Sequence, residues 1–229
     1  MLMENIVVSK KYIFIDTTTE QMIPIEKNVP QIFSEAVNEV LATVEKTNLF
    51  DESKFPIERR DEVKDMNTIY FIAGAEDGML DFYDQSNITL GLQTEAFSSL
   101  PDMMLSVSQF NDVFDFVKLE DYDTLFDSLE NPSIVIVINA AAIEAAEKGV
   151  LTKEDLKVLI FHELAHLFSA DHDEIHKKAF RLLSNDPHAP EKDDQMLTTQ
   201  EKYDAVNQAF TKLLPEFEKA RRELEGMFL

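Results

Sequence analysis

The sequence predicts an α+β domain with a small mixed sheet and a helical C-terminal part, on three observations. Bursts of β-branched and aromatic residues occur at 6–15, 67–75 and 133–139. Apolar residues recur at helical spacing over 29–48 and through most of the chain after 140. No internal repeat, low-complexity tract or flexible linker interrupts the 229 residues, so 1–229 is expected to be a single domain.

Each element has its own reason. "IVVSKKYIFI" (6–15) holds two apolar bursts and reads as strand. "VPQIFSEAVNEVLATVEKTN" puts Ile32, Phe33, Val37, Val40, Leu41 and Val44 at helical spacing, with Pro30 in the first turn. "NTIYFIAGA" (67–75) reads as a strand ending at Gly74, and a further short strand is expected around Ile88 to Leu92. Between 102 and 130, acidic and aromatic residues alternate ("DVFDFVKLEDYDTLFDSL"), and their spacing predicts mostly helix. Asn131-Pro132 then breaks the chain, and "SIVIVIN" (133–139) has the continuous apolar run of a buried strand. "AAAIEAAEKG" is a short helix closed by Gly149. Thr152 caps "KEDLKVLIFHELAHLFSA", a helix whose second half is apolar almost all round and so belongs in the interior. "DHDEIHKKAFRLLSN" is a second helix beginning at an Asp cap, and "DPHAPEKDD" (186–194) reads as a loop. The chain closes with a long amphipathic helix, with an interruption expected near Pro215.

Composition narrows the function classes. With no cysteine, any metal must sit on His, Asp or Glu. The net charge of −23, from 21 basic against 44 acidic side chains, repels phosphate backbones and anionic lipid. Nucleic-acid and membrane partners are therefore not expected, whereas a basic partner fits. The first residues lack a leader pattern and no apolar run reaches 18 residues, so the cytoplasm is the simplest expectation for location.

Four of the five histidines fall between 162 and 176, three of them in "HELAHLFSADH" (162–172). Residues four apart stack on one helix face, so His162 and His166 can aim two imidazole nitrogens at one centre. Glu163, one residue round the helix, can reach a water held there and is the candidate general base. A buried histidine is more often a satisfied core residue than a ligand. Here, however, three polar side chains interrupt an apolar helix, and each unpartnered one costs on the order of 1–3 kcal/mol. A shared metal satisfies all three. A third ligand has to come from beyond the helix. His172 suits a tight return after "SAD", and His176, four residues on, is its rival. The spacing favours His172, which leaves His176 as an outer supporting group, a substrate contact or, by default, simply exposed. Asp173 and Glu174 are better explained by helix capping.

"HELAHLFSADH" resembles the zincin metallopeptidases, more narrowly those with the spacing HExxHxxxxxH. Metzincins carry glycine where this chain has Ser169 and place a methionine turn beneath the metal, a place that Met196 in "DDQML" fits. The WLM and SprT-like families lack that glycine and run into a helix with an aromatic anchor, similar to "HDEIHKKAFRLL" with Phe180. In WLM-like proteins the anchor lies four residues past the ligand histidine, whereas Phe180 lies eight past His172 and four past His176. The resemblance covers 150–184. It implies a zincin-like fold with a buried active-site helix, one Zn2+ ion on His162, His166 and His172, and Glu163 as base. It also implies hydrolysis of a peptide or protein substrate, a basic one being favoured by the charge. Residues 131–229 then form the metal-binding half, and 1–130 an N-terminal part to which the resemblance assigns no role. "SIVIVIN" would cradle an extended substrate if it lay at a sheet edge, although its lack of alternation favours a core strand. The alternatives are a non-catalytic metal-binding scaffold and an acidic interaction protein with an incidental HExxH.

Overall fold

Residues 5–16, 21–49, 51, 54–56, 60, 68–81, 90–97, 107–118 and 133–227 are described in the computed structural model of the protein. The apolar bursts build one seven-stranded mixed sheet. Its centre is β4 (Thr68–Glu76), buried from Thr68 to Ala75. β7 (Ser133–Asn139) runs parallel to one side of β4, from Ile69 opposite Ile134 to Gly74 opposite Asn139. The other side is shared by β1 (Asn5–Ser9) and β2 (Lys11–Asp16), both parallel to β4 and placed one after the other along it. At the handover, the Ser9 hydroxyl accepts a hydrogen bond of 2.8 Å from the Ala73 amide, satisfying a backbone donor that neither strand reaches. Three antiparallel strands complete the sheet: β3 (Gln21–Asn28) beyond β2, β5 (Gly91–Phe97) beyond β7, and β6 (Phe114–Lys118) beyond β1.

The α+β expectation holds. β7 is internal, between β4 and β5, as its unbroken apolar run requires. β4 passes through Gly74 where the sequence predicted its end. A Cβ there would lie 2.0 Å from the Ile13 carbonyl oxygen, so glycine is what lets β2 approach and the pairing continue to Glu76. The mostly helical expectation for 102–130 holds over α3 (Val107–Val113) and fails at 114–118, which alternate between buried and exposed sides as β6. The rest of that stretch, 102–106 and 119–130, and Ile88 lie outside the described residues, while Leu92 falls within β5.

Helices α1 (Gln31–Val44), α4 (Ala140–Glu147), α5 (Lys153–Ala165) and α8 (Gln200–Met227) form the layer that covers the sheet, and α2 (Asp77–Asp81) follows β4. α6 (Glu174–Ser184) and α7 (Ala189–Asp194) close over the outer side of α5. α5 thus touches α1, α4, α6, α7, β5 and β7, the most enclosed position among the helices. Two further expectations change. The stretch 186–194 contains α7 rather than only loop, because Pro190 sits in the first turn, where no intrahelical donor is lost. α8 also runs through Pro215, held on both sides by buried Leu213 and Phe217. No described helix is long and apolar enough to cross a membrane.

Candidate metal centre

The centre is positioned by the two ends of α5. At its start, the Thr152 hydroxyl accepts from the Asp155 amide at 3.1 Å while the Asp155 carboxylate accepts from the Thr152 amide at 2.7 Å, a complete capping box. Lys153 and Lys157 clasp Glu39 on α1 at 2.6 and 3.0 Å, which holds the helix against its neighbour. The apolar second half then carries His162, Glu163 and His166 inward. Glu163 is only 4% exposed. After His166 the chain turns through buried Leu167 and Phe168, the latter stacked on Phe55 at 4.5 Å. Asp173 stops the turn and starts α6: its Oδ1 accepts from the amides of Ile175 and His176, both at 2.9 Å. That cap fixes the backbone carrying His172 and His176.

Ring nitrogens of His162, His166, His172 and His176 lie within 4.8 Å of one another. His162 Nε2 is 3.2 Å from His166 Nε2 and 3.0 Å from His172 Nε2. The opposite nitrogens decide what these short contacts mean. His162 Nδ1 lies 2.7 Å from Asp193 Oδ2 on α7, and His166 Nδ1 lies 3.2 Å from the Ser169 carbonyl oxygen. Carboxylates and carbonyls only accept, so both Nδ1 atoms carry protons, and in the neutral rings both Nε2 atoms present lone pairs. Lone pairs facing each other at about 3 Å are relieved by a cation between them. A single shared proton serves one nitrogen pair at a time, whereas a divalent ion serves the set. Ligand nitrogens on a tetrahedral ion with bonds of about 2.05 Å stand about 3.3 Å apart, close to the separations seen. The residues fit a metal.

Local electrostatics favour the neutral ring at His166 and His176 and the charged ring at His162. Burial, then the neighbouring His162, pushes His166 down to about 4. Burial, then His166 and His162, does the same to His176. Both rings are therefore neutral at ordinary pH, as ligands must be. Burial also disfavours charge on His162. The contact that His162 Nδ1–H makes toward the Asp193 carboxylate and the charges of Glu163, Asp193 and Asp194 outweigh it, and its pKa stays above the usual histidine value.

Every sequence-predicted ligand is at the centre. His162, His166 and His172 converge, and the rival His176 converges with them. The expectation that His176 is simply exposed is wrong: it is 1% exposed, turned inward because it stands on the same face of α6 as buried Ala179 and Phe180. Phe180 packs edge-on against His162 at 5.6 Å and His176 at 6.1 Å, a wall rather than a donor. His188 stands apart at the cap of α7. Met196 is buried but lines a separate cavity of about 390 Å³ with Val158, Phe161 and Lys202. Sequence reasoning missed Asp193. Its signal was the Pro190 helix start, which places the carboxylate at the end of a turn of helix instead of in a loop. No family model matches the chain, and neither a curated protein nor a solved structure matches it.

Proposed function

We propose that the protein is a metal-dependent hydrolase of peptide bonds, with one Zn2+ ion held by His162, His166 and His172 and with Glu163 as general base. The observation that carries the reading is the convergence of imidazole lone pairs at 3.0 and 3.2 Å beside a buried glutamate on the same helix. Zinc on such donors supplies Lewis acidity that polarises a carbonyl and acidifies water. The chain's own residues supply the rest. Asp193 and the Ser169 carbonyl hold two imidazoles in the tautomer that leaves Nε2 free. Glu163, next to His162, would take a proton from the attacking water and return it to the leaving amine. Phe180, edge-on against His162 and His176, keeps bulk water from the inner side.

A peptide fits the neighbouring sheet. Among the described residues β5 pairs only with β7, and it packs against α5, the helix that carries His162 and Glu163. An extended chain can add to such an edge strand through main-chain hydrogen bonds. The surplus of 44 acidic over 21 basic side chains favours basic segments.

A second reading has an observation of its own. A fourth imidazole at the centre suits a closed structural site that ties α5, α6 and α7 together. Glu163 distinguishes the two, since a structural site has no use for a base. Glu163→Gln is expected to keep zinc near one ion per chain and the native circular dichroism spectrum. Hydrolysis of an unfolded protein should fall at least about a hundredfold. Equal turnover in parent and variant removes Glu163 from the chemistry, and no turnover in the zinc-loaded parent leaves the structural reading.

A further inference from the structure

We propose that all four histidines are ligands of the one ion, with His162, His166 and His176 as its fixed donors and His172 as a displaceable fourth that closes the site at rest. The assignment rests on the metal reading above and revises it: His176 joins the ligand set and stays when the site opens, while His172 holds the ion only at rest.

Three observations support it. The six distances between the four ring centroids run only from 4.3 to 5.1 Å. Four points with nearly equal separations are the corners of a tetrahedron, the arrangement zinc takes with four protein ligands. Second, the buried nitrogen of His176 has no protein partner. Its Nε2 lies 3.2 Å from the His162 carbonyl oxygen, which can only accept, so Nε2 carries the proton and Nδ1 the lone pair. That Nδ1 is buried without a hydrogen-bond partner in a residue 1% exposed; His162 Nδ1 shares that state but has the 2.7 Å ion-pair contact with Asp193, which His176 Nδ1 lacks. A supporting histidine would be expected to spend both nitrogens on protein groups. This one spends one and holds the other in reserve, at a cost that a ligand role removes.

Third, the four rings are not held alike. His162, His166 and His176 each have an outer nitrogen against an oxygen acceptor, from Asp193, Ser169 and His162 respectively. Such contacts orient ligand imidazoles. His172 is exposed, sits in the turn before α6, and among the described residues its ring nitrogens have one hydrogen-bond-length contact, to His162 Nε2. It is the ring that can leave without breaking anything else. Four protein donors fill a tetrahedral ion, whereas hydrolysis needs an open position. Departure of His172 opens one, on the exposed side, where a substrate enters.

The test uses the full chain loaded with zinc, X-ray absorption to count imidazole ligands, and titration of zinc affinity against a competing chelator at fixed pH. The wild type should show four imidazoles. His172→Ala should show three plus one oxygen donor, with affinity reduced by no more than about a hundredfold, the scale of an outer contact. His176→Ala should lose more affinity than His172→Ala. Three imidazoles and an oxygen in the wild type overturn the proposal, as does a His176→Ala variant that binds zinc like its parent. Should His176→Ala not fold, the wild-type ligand count decides alone. Four imidazoles with no hydrolysis by wild type or His172→Ala would keep the ligand assignment and remove the hydrolase reading.

Discussion

The sheet centre and the histidine corner are both buried, but they are stable for different reasons. In β4 and β7 the buried side chains are nearly all apolar, and the backbone donors and acceptors pair along the strands. That region's exception among the described residues is the Tyr70 hydroxyl on β4, buried without a hydrogen-bond partner. At the junction of α5, α6 and α7 the buried groups include Glu163, His176 and the inner faces of His162 and His166. Their lone pairs face each other at about 3 Å. Burial that stabilises the first region is a cost in the second unless a cation is supplied. One chain thus combines a self-sufficient core with a conditional one.

Metal removal should separate the two most strongly. At free zinc a thousandfold above its dissociation constant, binding adds about 4 kcal/mol to whatever unfolds the site. Amides of α5, α6 and α7 should therefore lose protection from hydrogen exchange on chelation, while those of β4 and β7 keep theirs up to global unfolding. Equal loss across the sheet and the corner would mean that the metal supports the whole domain and that the contrast is false.

How much of this was legible follows from the same contrast. Strong patterns came through. The continuous run of β7, the cap at Thr152 and the i, i+4 histidines are local signals, and each is where the sequence put it. Pairing-dependent features did not come through. β3 carries Pro24 on an edge and shows no clear alternation, so only its partner β2 makes it a strand. β6 looked helical because its aromatic residues continue the spacing of α3, and pairing with β1 decides otherwise. At the site, the first two histidines follow from one helix. His176 and Asp193 depend on how α6 and α7 pack over α5, which no spacing encodes. The inward turn of His176 was nevertheless available from its register with Ala179, Phe180 and Leu183.

A smaller effect is expected from Asp193→Asn. The carboxylate holds His162 Nδ1 at 2.7 Å and biases its tautomer, as outer partners of metal ligands do. An amide can still accept there but brings no charge, so zinc affinity should fall by about ten- to a hundredfold, with chelator competition as the measurement. Sheet stability in the metal-free variant should not change, since Asp193 touches no strand. An unchanged affinity would make the contact incidental, and the corner would then be oriented by packing alone, like the sheet.

The smallest effect concerns protons in the metal-free protein. His166 and His176 have folded pKa values of about 4, below the ordinary value of about 6.5 that they regain on unfolding. Between those values the unfolded chain binds more protons, so stability falls as pH drops through 6.5 toward 4 and levels off below. His162 acts in the opposite sense. Its raised folded pKa contributes stability that is complete below 6.5 and lost as pH rises through the folded value. Taken together, the three histidines place a stability maximum for the chelated protein near pH 6.5. Going from 6.5 to 5.5 should cost about 1 kcal/mol once the partial solvent exposure of the rings is allowed for. Urea midpoints across pH 5–8 in excess chelator measure it, and His166→Gln with His176→Gln should flatten the acid side. Saturating zinc should flatten it as well until the metal itself is displaced, because a lone pair held by the ion is closed to a proton. An acid limb that persists in the double variant would assign the pH response to the carboxylates elsewhere on this acidic surface. The corner would then be no more conditional on protons than the sheet.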